Sequence, residues 1–139
     1  GSGQIDAPPA LQPHILDLGF VSEQEKHEAM AGAAAFLHPS VNESLGIVLL
    51  ESWLARTPAL VHACGEVLRW QCRQSNAGLW FMNYPEFEEE LKLLLDNGSV
   101  RQAMGEAGRA YVRRVYSWPS VEQRLFEALD GNQGKARLA

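Results

Sequence analysis

The run Ala34-Ala35-Phe36-Leu37-His38-Pro39-Ser40-Val41-Asn42-Glu43-Ser44-Leu45-Gly46-Ile47-Val48-Leu49-Leu50-Glu51-Ser52-Trp53-Leu54-Ala55-Arg56-Thr57-Pro58-Ala59-Leu60-Val61 carries a strand, a loop, a helix and a second strand in order. Residues 34–38 are compact and apolar and are closed by Pro39, the pattern of a buried strand. Ser40 to Ser44 is a polar loop. A helix follows from Leu45 or Gly46 to Ala55. Arg56-Thr57-Pro58 ends it, because proline lacks the N–H and disfavours the helical region at the residue before it. A strand joined to the next strand through a helix makes a parallel pair.

The pattern repeats on both sides. His14 to Leu18 reads as a short strand ending at Gly19, and Ser22-Glu23-Gln24-Glu25 is a capping box that starts a helix running to about Ala31. Downstream, Glu66 to Gln74 is a helix, Asn76-Ala77-Gly78 a turn and Leu79-Trp80-Phe81 a strand. A helix opening at Pro85 places Phe87, Leu91, Leu94 and Leu95 on one stripe. Two more helices are expected, over Ser99–Tyr116 and from Trp118 to Leu129, parted by the Ser117-Trp118-Pro119 break. Four apolar strands at 14–18, 34–38, 59–61 and 79–81 alternating with helices mean an α/β fold with a parallel sheet and flanking helices. Residues 1–13, rich in Gly and Pro, read as an extended leading segment, with Gly1-Ser2-Gly3 a tag remnant or native; 14–129 is the folded part; 130–139 reads as a flexible tail.

The chain has 139 residues, 46% hydrophobic and 21% charged, an ordinary globular composition for one domain. Lys+Arg 12 against Asp+Glu 17 gives a net charge of -5, which argues against a nucleic-acid partner. No uncharged run is long enough to span a bilayer, and the first residues lack the basic and apolar parts of a signal peptide. Cys64 and Cys72 form neither a CxxC pair nor a disulfide framework, and His62 with Cys64 lacks the further ligands of a zinc site. These features describe a cytosolic or cytosol-facing domain without a bound metal.

In an open parallel sheet, ligands sit beyond the carboxyl ends of the strands. Two such ends stand out, Gly19-Phe20-Val21 and Pro39 to Gly46. Each leads into a helix start, where unpaired N–H groups and the helix dipole favour an anion. The second also carries Glu43 and, two turns into the helix, Glu51. Carboxylates accept hydrogen bonds from hydroxyls. An anion flanked by hydroxyl-rich groups, the form of a nucleoside diphosphate sugar, suits this arrangement.

The stretch Pro39–Val61 resembles the signature of glycosyltransferase family 4: Pro-Ser, a glutamate, Gly or Ser, Leu-Gly, a second glutamate, small residues, Pro and a hydrophobic strand. His14–Ser22 resembles the family's strand ending in Gly-x-Val-Ser. Ser75–Leu79 and Arg109–Trp118 match its Gly-Leu strand and closing helices, so the likeness covers about residues 14–129. The resemblance implies part of the C-terminal, donor-binding, Rossmann-like lobe of a GT-B enzyme. Such an enzyme transfers a sugar from a nucleotide diphosphate sugar with retention and without metal or other cofactor. The acceptor is held by an N-terminal lobe that this chain lacks. Carried over by position, Glu43 is the catalytic residue beside the donor sugar. The backbone around Ser44, Leu45, Gly46 and Ile47 contacts sugar and phosphates, Glu51 holds the ribose hydroxyls, and the base packs near Phe20 and Val21.

Two departures stand out. The family's Gly-Gly pair after the second strand is here His62-Ala63-Cys64-Gly65, with one glycine. The family's upstream Arg and Lys, which hold the diphosphate, are absent, since no basic residue precedes Lys26. In the family's strand order 3-2-1-4-5-6, the strands here match 3, 4, 5 and 6, so strands 1 and 2 are missing between 14–18 and 34–38. The gap bares the edge of 34–38, which invites pairing with segment 14–18 or with a second chain. Homo-oligomers or a strand-swapped dimer are the expected outcomes. A donor-binding fragment, itself inactive, is the first functional reading; a non-catalytic nucleotide-binding or assembly module on the same scaffold is the alternative, with a nucleotide-sugar epimerase a more remote one.

Other residues carry competing readings. His38 reads as a satisfied, buried histidine before it reads as a group polarising a sugar hydroxyl. Trp70, Trp80 and Phe81 read as core before acceptor platform. Arg69 and Arg73, four apart, read as a solvated helix face with phosphate contact as the alternative. Glu86 to Glu90 is a charged helix start that suits the dipole.

Overall fold

The computed structural model describes residues 6–135. Three parallel strands lie in the order β1 (Phe36–His38), β2 (Ala59–His62) and β3 (Gly78–Phe81). Phe36 pairs with Ala59, which pairs with Gly78, so the strands start level. Six helices accompany them: α1 (Glu23–Gly32), α2 (Ile47–Leu54), α3 (Glu66–Ser75), α4 (Tyr84–Asp96), α5 (Gly98–Val115) and α6 (Trp118–Lys135). The α/β, Rossmann-like architecture with a parallel sheet is as the sequence predicts.

Period two along the strands splits the packing. Phe36, Ala59 and Val61 face α2, α3 and α5, whose Leu49, Leu50, Trp53, Leu68, Cys72, Tyr111 and Val112 complete the core. Leu37, Leu60 and Phe81 border a cleft on the α4 side, where Phe87 meets Phe81 with ring centroids 5.0 Å apart. Leu49, Leu50 and Trp53 recur on one face of α2, so a helix of eight residues is buried along one side. Trp53 fills the centre and is fully buried, a placement that stabilises by about 3 kcal/mol.

Helix boundaries follow local chemistry. Ser22 and Glu25 form the expected capping box: the Glu25 N–H donates to Ser22 Oγ at 3.2 Å and the Ser22 N–H to Glu25 Oε2 at 2.8 Å. The Ser22 N–H first and the Ser22 hydroxyl second, both donating to it, hold the Glu25 carboxyl below its usual pKa. Asn83 caps α4 by accepting from the Glu86 N–H at 3.0 Å, and Glu86 in turn accepts from the Met82 N–H at 2.7 Å. Asn76 ends α3 in the left-handed region with φ 53, which asparagine tolerates.

Four expectations need correction. His14–Leu18 is not a strand. Gln12–His14 forms a short 3-10 helix, residues 15–18 are exposed coil, and Gly19 turns the chain at φ 60. A strand is stable only against a partner, and β1 pairs with β2 alone. The first described residues likewise hold a turn and that short helix rather than a purely extended path. The α4 stripe is narrower than predicted: Leu94 is buried, Phe87 and Leu91 are half-buried, and Leu95, at the flank of the stripe, is exposed. Finally, α6 continues to Lys135, past the expected end at Leu129. Gly1-Ser2-Gly3 and residues 136–139 of the expected tail lie outside the described residues.

Trp70 and Trp80 are not core. They are 56% and 38% exposed, because β3 is an edge strand and nothing covers the outer side of α3 beside it. Phe81 is half-buried against Phe87 and His62 and borders the cleft on the α4 side, outside the buried core. Both cysteines are free, Cys64 exposed and Cys72 buried. No described helix is long and apolar enough to cross a membrane.

Candidate functional site

The loop Pro39–Gly46 leaves the carboxyl end of β1 and delivers the chain to α2. Its last residue, Gly46, is left-handed with φ 70 and ψ 54 and caps α2 without a side chain. Its left-handed conformation favours glycine, and a Cβ there would stand 2.5 Å from Leu68 Cδ2 on α3, so that side chain would have to shift. From the other side, a Cβ on Gly65 would stand 2.8 Å from the Ser40 carbonyl oxygen. Gln71 of α3, itself buried, donates to the carbonyl of Leu45. The loop is therefore clamped between β1 and α3. The sequence reading passed over Gln71, whose signal is a polar residue one position before Cys72 on the covered side of α3.

Glu43 folds back toward β1: His38 Nε2 lies 3.4 Å from Glu43 Oε1, with both side chains largely covered. His38 is thus partly buried rather than fully so, and the group it faces is the candidate catalytic carboxylate. Phe36 meets the His38 ring edge-on with centroids 5.8 Å apart, which fixes the ring's plane. Ser44, Leu45 and Ile47 are exposed around the buried Gly46, and the unpaired N–H groups at the start of α2 open beside them.

Glu51 sits one turn before the end of α2. Lys26 of α1 lies 3.1 Å from each of its oxygens and donates to Oε1. Oε2 is buried and accepts no hydrogen bond. Lys26 also lies 2.6 Å from Glu23. These two carboxylates, Glu23 first, hold the Lys26 ammonium above its ordinary pKa. The role of Lys26 was not foreseen. Its only signal is position, four residues past the cap Ser22 and so one turn into α1. A further bond, from Thr57 Oγ1 to the Met30 carbonyl at 2.5 Å, anchors the other end of α1.

Glu43, Ser44, Leu45, Gly46, Ile47 and Glu51 thus share the loop and helix at one end of the sheet. Phe20 and Val21 lie on the exposed segment ahead of α1, 85% and 36% accessible. Among the described residues no three His, Cys, Asp or Glu side chains gather into a metal-holding group. Two carboxylates and a glycine-capped helix start together form a surface that accepts hydroxyl donors and an anion.

Residues 10–111 match the family described as Glycosyl transferases group 1. A phosphatidyl-myo-inositol mannosyltransferase of Mycobacterium leprae is 30% identical over 135 residues, 93% of this chain and 36% of the relative. A GDP-mannose-dependent monoacylated alpha-(1-6)-phosphatidylinositol monomannoside mannosyltransferase of Corynebacterium glutamicum is 29% identical over 126 residues, 86% of this chain and 33% of the relative. The alpha-1,3/1,6-mannosyltransferase ALG2 of Mus musculus is 25% identical over 117 residues, 84% and 28% of the two chains. The chain spans about a third of the length of these relatives. No solved structure gives a significant match.

Proposed function

This chain belongs to the glycosyl transferases group 1 family, and from that membership we propose that it is the donor-binding part of a retaining, metal-independent glycosyltransferase. The donor is a nucleotide diphosphate sugar. The names of the relatives, all mannosyltransferases and one GDP-mannose-dependent, favour a mannosyl donor on a guanine nucleotide. Glu51 takes a ribose hydroxyl on Oε2, the α2 start and the Ser44–Ile47 backbone take the diphosphate, and Glu43 faces the sugar. As the leaving diphosphate gains charge, fixed N–H donors stabilise it more than they stabilise the ground state. The base packs at Phe20 and Val21. The chain alone binds the donor and transfers nothing, the acceptor being held by a partner lobe, and it works in the cytosol or at the cytosolic face of a membrane. The free outer edge of β1 pairs with a second chain or with that partner.

The observation that carries this reading is that one loop and helix beyond β1 hold Glu43, the glycine-capped start of α2 and Glu51 together. The Lys26 contact favours the assembly-module form of the second reading, a non-catalytic nucleotide-binding or assembly module on the same scaffold, because Lys26 already neutralises Glu51. An NMR titration with GDP, UDP and ADP separates the two. Amide shifts at Phe20–Val21 and Ser44–Glu51, greatest with GDP and lost in Glu51→Ala, support donor binding. No shift at millimolar nucleotide removes it.

A further inference from the structure

A second cleft, which shares no lining residue with the Pro39–Gly46 loop, lies along α3 beside the edge strand. It encloses about 830 Å³ and is lined by Glu66, Val67, Arg69, Trp70, Arg73 and Trp80. Three features set it apart from an ordinary helix surface. Two indoles, Trp70 and Trp80, open into it, although tryptophan is an expensive residue to leave in water. Two guanidinium groups, Arg69 and Arg73, stand one helical turn apart on the same helix. Neither arginine has an ion-pair or hydrogen-bond partner among the described residues, whereas Arg56 and Arg101 do. In a chain of net charge -5 this is a local cationic, aromatic surface.

The chemistry defines the occupant. An indole face stacks on a flat apolar ring face. A planar guanidinium fork takes a carboxylate or phosphate by paired N–H donors. Glu66, at the helix start, adds an acceptor for a hydroxyl. A ring with an apolar face, a hydroxylated rim and an anionic group satisfies all three. We infer that the Arg69–Trp70–Arg73–Trp80 cleft is a binding site for an anionic saccharide, such as a uronate-bearing or phosphorylated sugar. The preference for a sugar ring over a nucleobase rests on the glycosyl-transfer reading above; the cationic and stacking chemistry does not. The site shares no lining residue with the donor loop, so it retains a charged saccharide on the lobe without occupying the place of transfer.

The four tryptophans supply the test. Their indole N–H signals in a ¹H–¹⁵N spectrum of the chain, assigned by single Trp→Phe changes, report four places at once. Trp53 is buried and hydrogen-bonded, and Trp118, 73% exposed on α6, samples free solvent. The probes are glucuronic acid, mannose 6-phosphate, neutral mannose and a short single-stranded oligonucleotide. The expected result is that the two acidic sugars shift Trp70 and Trp80 and leave Trp53 and Trp118 in place, with mannose about tenfold weaker. Arg69→Gln with Arg73→Gln abolishes the shifts while the Trp53 signal stays, which separates lost binding from lost fold. Equal response of Trp118, equal response to mannose, or no shift at millimolar sugar overturns the site. A stronger response to the oligonucleotide assigns the cleft to nucleic acid and overturns the saccharide. A shift at Ser44–Glu51 with nucleotide but none here leaves the donor reading standing alone, and the reverse leaves this site standing without it.

Discussion

The Trp53 indole N–H donates to the Ala77 carbonyl at 3.0 Å, and the same carbonyl accepts the Ala59 N–H at 3.1 Å. One oxygen thus joins the C-terminal end of α2, the start of β2 and the turn into β3. Trp53→Phe removes one donor and opens a void beside Tyr111, whose ring meets the indole edge-on at 5.8 Å. A loss of about 2 kcal/mol is expected, read as a lower urea midpoint with an unchanged slope.

Helix α5 passes close enough to Trp53 that its glycines are forced. A Cβ on Gly108 would lie 2.7 Å from Trp53 Cγ and 2.8 Å from Ala77 Cβ, and one on Gly105 would collide with the Arg56 carbonyl. In an exposed helix, Gly→Ala stabilises by about 1 kcal/mol. Here the sign reverses. Gly108→Ala and Gly105→Ala each cost roughly 2 kcal/mol or more in denaturant melts, because the clash is with backbone and a ring rather than a flexible side-chain end. A stabilised variant would show that α5 rides further from α2 than described.

Much of this packing was legible in the sequence. Strands at 34–38, 59–61 and 79–81 declare themselves as short apolar runs between helix stops, and Ser22-x-x-Glu25 declares its cap. Segment 14–18 has the same apolar content and fails, since composition cannot tell whether a neighbouring strand exists to pair with. Trp70 and Trp80 fail for a like reason: an aromatic is core only if something covers it, and the edge position of β3 is a property of topology. At the site, Glu43, Gly46 and Glu51 come from a contiguous motif and were readable. Lys26 was not, because its contact with Glu51 spans 25 positions and depends on how α1 docks.

Glu90 gives the fold a pH slope. It sits on the covered side of α4, where burial first and the neighbouring Glu86 second push its carboxyl up to about 7, and its Oε2 is buried without a partner. The folded chain therefore keeps a proton that the unfolded chain releases from about pH 4.5 upward. Stability from this group falls as pH rises from about 4.5 to about 7 and is level outside that window. Glu90→Gln should flatten the slope and stabilise the chain at pH 7 by roughly 1 kcal/mol, allowing for solvent screening, in thermal melts across that range.

Lys26→Met leaves Glu51 without its cation. The pair is partly exposed, so a small loss of stability is expected, shrinking as salt is added. Ser22→Ala frays the same, N-terminal end of α1, costing about 1 kcal/mol. Hydrogen exchange at the amides of residues 23–26 should quicken in Ser22→Ala, while those in α5 hold their protection.

The two thiols differ sharply in reactivity. Burial pushes Cys72 up to about 12, so it stays protonated at neutral pH and out of reach of reagents. Cys64 is exposed just beyond the end of β2, on the side of the sheet where the Pro39–Gly46 loop opens. A maleimide fluorophore or spin label will therefore load with a stoichiometry of about one per chain without mutagenesis. The unmodified sequence carries its own distance probe beside the place where a donor is proposed to bind.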